Sequence, residues 1–304
     1  MSDKKQSDLV QERFTRTAGE FAAFSQKVRA AEAAQLLEML RGCMNAVELE
    51  TGVRGGRPVA NAADAMRRMR AVDVACGPGT FTLAFAPHVA QMTGLDITAA
   101  ILRARAAAER EGLSQIEWLL GNAEKLPWEA ASFDLVTTAY SLHHIGDAAR
   151  AVSEMARVLR PGGWLALVDI CVPDAAEGAR NGAAESVREF DADVNNAIEI
   201  ARDASHVRTF RPAELRALAE RAGLRVKRGE PGARPRSFDD WMQIAGWKRS
   251  DAAYTETRRL MEQNLVRDRS GFAPSRASGA SDGDLQWTQW SYFFVARKAA
   301  AGDR

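Results

Sequence analysis

Apolar residues recur at helical spacing through residues 8–50, as in Phe21, Phe24 and Val28 and again in Ala33, Leu36, Leu37 and Leu40, within a background rich in Ala, Glu and Arg. Spacings of three and four put these side chains on one face, which predicts a pair of helices ahead of the main domain. The stretch TGVRGGRPVANAAD that follows carries Gly and Pro punctuation and predicts a long connection.

From residue 70 the pattern changes to short apolar runs alternating with helical ones. AVDVAC, QMTGLDI, IEWLLGNA, SFDLVTTAYSL and WLALVDICV predict strands; FTLAFAPHV, TAAILRARAAAEREG closed by Gly112, and DAARAVSEMARVLRPGG with its Pro-Gly stop predict helices. Strands separated by helices need crossover connections, so the expected class is α/β, a doubly wound, mostly parallel sheet with helices on both faces. Ligands of such sheets bind beyond the carboxyl ends of the strands. After Pro173 the regularity loosens: residues 174–204 predict mainly helix, RPAELRALAERAGLRVKRGE a helix ending at Gly223 and then a strand, DRSGFAPSRASGASDGD a polar loop, and WTQWSYFFVARK a late strand. The expected organisation is an N-terminal helical segment (1–60), a ligand-binding core (61–173), and a helical and irregular lid with late core strands (174–304).

The 304 residues, 46% of them hydrophobic, suffice for a sizeable core. Forty-one basic against forty acidic residues leave a charge of +1, so no global field attracts nucleic acid or an anionic membrane, and any anionic partner has to be met locally. No apolar run is long enough to span a bilayer, and the polar first dozen residues lack the apolar centre of a secretory signal. Three widely spaced cysteines, Cys43, Cys76 and Cys171, form no CxxC pair, which suggests neither zinc nor redox chemistry and a reduced, cytoplasmic setting. The composition leaves the oligomeric state open.

In VDVACGPGTFTLAF a strand runs into the turn Ala75-Cys76-Gly77-Pro78-Gly79 and then a helix. Neither Gly77 nor Gly79 has a Cβ to keep a ligand from the main chain. The turn lacks the third glycine of a dinucleotide fingerprint and the Gly-Lys-Ser/Thr of a phosphate loop, and taken alone it does not distinguish a cradle from an ordinary loop. Asp96, in GLDIT, ends the second strand where an acidic side chain accepts ribose hydroxyls in doubly wound sites; the competing reading is a helix N-cap.

The series VDVACGPG, GLDIT, GNAEKLPWEAASFDLV, TAYSLHHI and RVLRPGGWLALVD, spanning about a third of the chain in order, resembles the class I S-adenosylmethionine-dependent methyltransferases, a Rossmann-like fold, and among them the ubiquinone and menaquinone biosynthesis C-methyltransferase branch. RFTRTAGEFAAFS is similar to that branch's first helix, which folds over the cofactor; Phe24 stands where several relatives have tyrosine, and Ala75 where glycine is commoner. The resemblance implies S-adenosyl-L-methionine as cofactor and no metal. It implies that main chain around Ala75, Gly77 and Gly79 passes the methionine part, that Asp96 holds the ribose hydroxyls with Ile97 against adenine, that Asn122 and the amide of Ala123 face the adenine edge, that the backbone at Ala139 meets the amino end, and that Asp73 braces the turn.

Methyl transfer from a sulfonium is a direct displacement in which alignment supplies much of the rate and a base is optional. Tyr140, His143 and His144, after the fourth strand, are the catalytic candidates; the histidines serve either as base and orienter or in packing and hydrogen bonding. Cys76 and Cys171 read as packed residues rather than nucleophiles. The arginines from Arg202 to Arg236, with His206, read either as an anionic-substrate patch or as a solvated face that includes Arg211, Arg216 and Arg221. Trp241, Trp247, Trp287 and Trp290 offer either a surface for a flat substrate or a cap core. The expected function is methylation of an aromatic, quinone-like or secondary-metabolite acceptor under the 174–290 lid. The alternatives are a non-methylating cyclase or accessory subunit of the same fold, and a methyltransferase of RNA or protein.

Overall fold

The computed structural model describes residues 3–51, 61–113, 115–174, 190–276 and 284–300. Helices α1 (Asp3–Arg16) and α2 (Ala18–Thr51) lead the chain and α3 (Ala62–Met66) follows. Strands and helices then alternate: β1 (Arg70–Val74), α4 (Thr80–Phe85), β2 (Gln91–Asp96), α5 (Ala100–Arg110), β3 (Ile116–Leu120), β4 (Phe133–Ala139), α6 (Ala148–Val158) and β5 (Leu159–Ile170). The last part holds α7 (Ala192–Arg202), α8 (Pro212–Arg221), β6 (Leu224–Ser237), α9 (Phe238–Ile244), α10 (Ala252–Glu262), β7 (Ser275–Arg276) and β8 (Leu285–Lys298).

The strands form one sheet in the order β3-β2-β1-β4-β5-β8-β6, with β7 paired to β8. β1 to β5 run parallel, and β8 lies antiparallel between β5 and β6. Chain order reverses between β1 and β4, the switch point beside which ligands of open α/β sheets bind. Alternate residues of the central strands enter two different cores. Val72, Val74, Val136, Leu165 and Leu167 pack on one face with α6 and α8. Ala71, Leu135, Trp164, Ala166 and Val168 pack on the other with α2 and α4. This two-sided burial is why the strands read as continuous apolar runs. The second half of α2 is core, contributing Leu36, Leu37, Leu40 and Met44.

Several boundaries differ from the sequence expectation. Helix α6 stops at Val158, and Leu159 is already extended and paired with Phe133, so LRPGG opens β5 instead of closing the helix. Pro161 disfavours helical backbone in the residue before it, and Gly162 takes a φ of +81°. β6 continues past RVKRGE through Pro231 and Pro235 to Ser237, because it ends the strand order and its proline ring nitrogens owe no ladder hydrogen bond on the free side. The start of the polar run is ordered: the Asp268 carboxylate accepts N–H bonds from Ser270, Gly271 and Ala273, and Ser275–Arg276 forms β7. Residues 52–60, 175–189 and 277–283, on which parts of the expected connection, lid helix and loop fall, lie outside the described residues. Trp241 and Trp287 stack at 4.4 Å within a separate small core that includes Phe238, Tyr254 and Phe272, and Trp290 belongs to the main core. The tryptophans are therefore mainly core.

Gly79 departs from its expected role. With φ at +81°, a Cβ there would lie 2.8 Å from Cβ of Ala104 and 3.0 Å from Cη2 of Trp118, so its bareness lets α4 start against α5 and β3. Gly223 has the same φ, and nothing lies within 4 Å of where its Cβ would be. Gly223→Ala is expected to cost about 1 kcal/mol from backbone strain alone. Gly79→Ala is expected to cost a further ~1–3 kcal/mol from overpacking. Urea unfolding of both variants checks the difference, and equal losses would refute the packing role.

Candidate active site

Two adjoining cavities open beyond the carboxyl ends of β1 to β4. The first is lined by the β1 turn at Ala75, Cys76, Gly77 and Pro78, by Asp96, Ile97 and Thr98 after β2, by residues 121–124 after β3, and by Ala139, Tyr140 and Ser141 after β4. Helices α1 and α2 cover it with Gln6, Val10, Phe14, Phe21, Ser25 and Arg29. The second cavity, the larger, lies between α1, α2, α7 and the β6–α9 junction and includes His143, Ile170, Arg236 and Trp241. Phe14, Phe21, Arg29, Tyr140 and His144 line both.

The first cavity gathers Asp73, Ala75, Gly77, Asp96, Ile97, Asn122, Ala123 and Ala139 of the residues expected from sequence, but not Gly79. Its turn is built from left-handed backbone, with φ of +57° at Ala75 and +52° at Gly77. A Cβ on Gly77 would have only Phe21 Cε1 near it, at 3.9 Å, so the backbone there faces open cavity. Asp96 does not cap α5, whose N-cap is Ala99. Its Oδ2 accepts the Gly77 N–H at 2.7 Å, and its Oδ1 accepts the Thr98 N–H at 2.7 Å and the Thr98 hydroxyl at 2.6 Å. Burial pushes the Asp96 carboxyl up, and these hydrogen bonds oppose that shift. Asn122 Oδ1 accepts the Glu124 N–H at 2.9 Å, and Glu124 Oε1 accepts the Asp147 N–H at 2.8 Å. Burial and the nearby Asp96 and Asp73 charges raise the Cys76 thiol well above its ordinary value, so it stays protonated and is no nucleophile. Cys171 is buried and forms no disulfide.

The catalytic candidates separate clearly. Tyr140 holds a φ of +54°, its ring lies 3.2 Å from the Arg29 guanidinium carbon, and its hydroxyl donates to Ser291 Oγ at 3.3 Å. Burial drives its phenol far above the usual range, so it stays protonated. His144 Nδ1 lies 3.1 Å from the Ser205 carbonyl, which can only accept, so this nitrogen carries the hydrogen. Burial first, and His143 next, depress the His144 ring to about 3. His143 is held differently: its Nδ1 is 2.5 Å from Oδ1 of Asp169, both side chains are buried, and its ring lines the second cavity. Nδ1–H donating to that carboxylate leaves Nε2 as the acceptor nitrogen.

Sequence reasoning missed Asp169, whose strand WLALVD carries no local sign of its partner. It also missed the polar ties of the N-terminal helices. Gln6 Nε2 donates to the carbonyls of His144 (3.0 Å) and Ser205 (2.7 Å), Arg13 pairs with Asp203 at 2.8 Å, and Ser25 Oγ lies 2.7 Å from Thr80 Oγ1. Phe24 lines the second cavity, whereas Phe21 reaches both. Arg216 and Arg221 are exposed and away from either cavity, whereas Arg202 and Arg236 line the second. Among the described residues no cluster of His, Cys, Asp and Glu could hold a metal ion, and no helix is long and apolar enough to cross a membrane.

Residues 72–167 match a family described as a methyltransferase domain. The chain is 32% identical to the uncharacterized methyltransferase YcgJ of Bacillus subtilis over 58% of this chain and 65% of that one. The solved structure of YcgJ superposes with a TM-score of 0.67 at 24% identity, covering 79% of this chain and 95% of that one. Identity is 32% to the uncharacterized protein YafE of Escherichia coli, over 54% of this chain and 73% of that one. It is 36% to the demethylmenaquinone methyltransferase of Bacillus licheniformis, over 34% of this chain and 46% of that one. The chain thus spans less than two thirds of the first and last of these relatives.

His206, 5% exposed behind the histidine pair, is depressed to about 2 by burial and by His143 and His144. A folded value below the ordinary 6.5 contributes stability that is present above pH 6.5 and lost as pH falls toward 2. Between pH 7 and 5 this site is expected to remove roughly 1–2 kcal/mol of stability. Urea unfolding of His206→Gln should show a correspondingly smaller loss over that interval, and an unchanged loss would contradict the assignment.

Proposed function

The chain belongs to the class I S-adenosylmethionine-dependent methyltransferases, and from that membership we propose that it moves a methyl group from S-adenosylmethionine in the first cavity to a small-molecule acceptor in the second. The observation that carries the reading is the buried His143–Asp169 pair on the second cavity, next to the wall the two cavities share.

The first cavity fits the cofactor: bare backbone at Gly77 faces it, and a carboxylate stands at the end of β2. On this reading main chain at Ala75 and Gly77 holds the methionine part, and Ala139 meets its amino end. Asp96 accepts the ribose hydroxyls, Ile97 packs on adenine, and Asn122 with the Ala123 amide faces the adenine edge. Asp73 braces the turn from behind, and Gly79 has a packing role only. Gly77 and Thr98 already fill three of the roughly four acceptor positions of the Asp96 carboxylate, so holding two hydroxyls requires the Thr98 hydroxyl to turn away. Bound S-adenosylmethionine supplies a methyl carbon made electrophilic by its sulfonium.

The chain's own part is to align the acceptor and take its proton. Asp169 fixes the His143 ring so that Nε2 would meet the acceptor's O–H or N–H and take its proton, while the cofactor's carbon–sulfur bond would break and leave S-adenosylhomocysteine as the neutral thioether product. Tyr140 and His144 position the wall between the cavities. Helix α1, tied down by Gln6 and Arg13, and α2, tied by Ser25 to Thr80, exclude water and form the N-terminal cover; α7 and the β6–α9 junction wall the acceptor's cavity.

Calorimetric titration with S-adenosylmethionine and its demethylated product, followed by a methyl-uptake screen over phenols, quinones, amines and thiols, tests this reading. Asp96→Ala is expected to lose at least ~10-fold in cofactor affinity. His143→Ala should keep that affinity and lose roughly 10²–10⁴-fold in turnover. Absence of cofactor binding by the unaltered protein would sink the proposal, and full turnover by His143→Ala would remove the base.

A further inference from the structure

Arg236, near the end of β6, lines the second cavity with its Nη2 buried and without a hydrogen-bond partner. Other buried side-chain polar atoms lack partners among the described residues, but none of those belongs to a residue lining either cavity. The rest of the guanidinium is fixed: Nε donates to Gln289 Oε1 at 2.9 Å, and the group stacks 5.2 Å from the centroid of the Phe24 ring. An unpaired, buried cationic N–H is costly, and a small turn of the guanidinium toward the cavity it lines would let a ligand pair with it.

The surrounding charges point the same way. Glu32, 2% exposed, is shared between Arg29 (3.0 Å) and Arg234 (2.9 Å), so one carboxylate stands among three guanidiniums. Burial, followed by the Arg29 charge, lowers Arg236 to about 10. At the α7 end of the cavity charges are balanced, Arg13 with Asp203 and Arg202 with Glu199. Glu20 and Asp240, also on the lining, are solvent-exposed. The excess of positive charge is therefore local to Arg236 and its neighbours.

The geometry points to an acceptor that carries a carboxylate on a flat apolar frame, the carboxylate received by the Arg236 guanidinium once a small turn of that group brings Nη2 to the cavity, and the frame lying along Phe24. Arginine's planar fork matches a carboxylate, and an anion there supplies the missing partner and offsets the local positive charge. This inference rests on the reading of the second cavity as the acceptor site.

The test is calorimetric titration of the full chain, saturated with S-adenosylhomocysteine, with matched pairs of probes: benzoate and benzamide, salicylate and salicylamide, 4-coumarate and its amide. The expected result is a carboxylate preferred over its amide by at least ~10-fold, a preference abolished in Arg236→Gln and partly kept in Arg236→Lys, with unchanged affinity for S-adenosylhomocysteine in both. Equal binding of carboxylate and amide, or a preference that survives Arg236→Gln, overturns the inference while leaving the acceptor-site reading in place. No binding of any probe overturns both. Arg236→Lys guards against a fold effect, since a variant that retains charge and structure must retain part of the preference.

Discussion

The buried carboxylate of Asp73 is the joint on which the first cavity depends. It is 1% exposed and accepts the Thr82 hydroxyl from α4 at 2.6 Å and the Thr137 hydroxyl from β4 at 2.8 Å. One side chain on β1 therefore locks the helix after the turn and the strand across the switch point. Burial pushes Asp73 up to about 6, and its ordinary value is 3.8. A raised carboxyl contributes stability below pH 4 that is lost as pH rises through 6, so at neutral pH the ionised group costs about 3 kcal/mol. Two hydroxyl donors hold it there, and with it the left-handed backbone of Ala75 and Gly77, which has no local reason to persist.

The fold was legible because its signals are local and ordered. Period-two burial on both faces writes continuous apolar strands, helices alternate with them, and a glycine turn followed by an acid at the next strand's end fits few other arrangements. What was illegible depended on who faces whom. Gly79 reads as a second ligand-facing glycine, yet Trp118 and Ala104 occupy the space its Cβ would need. Trp118 fills the gap at Gly94 as well, where a Cβ would lie 2.7 Å from its ring. The extension of β6 through Pro231 and Pro235 depends on its place at the edge of the sheet, which no local pattern in RVKRGE announces.

The same distinction governs the candidate site. Sequence placed His143 and His144 side by side with nothing to choose between them. The choice comes from Asp169 behind one ring and the Ser205 carbonyl behind the other. The Asp169 carboxylate fixes the His143 ring through Nδ1 and leaves Nε2 facing the second cavity, whereas burial and the neighbouring imidazole oppose a positive charge on His144. Neighbours in sequence thus acquire opposite chemistry from residues far along the chain. Arg236 follows the same logic: sequence leaves it between substrate patch and solvated face, and its place on β6 opposite Trp287, with Nε bonded to Gln289 of β8, holds it at the second cavity.

The wall between the cavities links binding in one to binding in the other. Tyr140 stands there in a left-handed conformation that costs a non-glycine residue on the order of 1 kcal/mol. The cost is borne because its contacts over-determine it: Arg29 against the ring face, Phe81 edge-on at 6.2 Å, and Ser291 at the hydroxyl. Arg29 in turn comes from α2, the helix that also lends Phe21 to both cavities and Phe24 to the second, while its far half is anchored in the core. A ligand that shifts Phe21 or Arg29 in one cavity reshapes the wall of the other. Since any such coupling is reciprocal, what occupies the first cavity sets the affinity of the second to the same degree that the second sets the first.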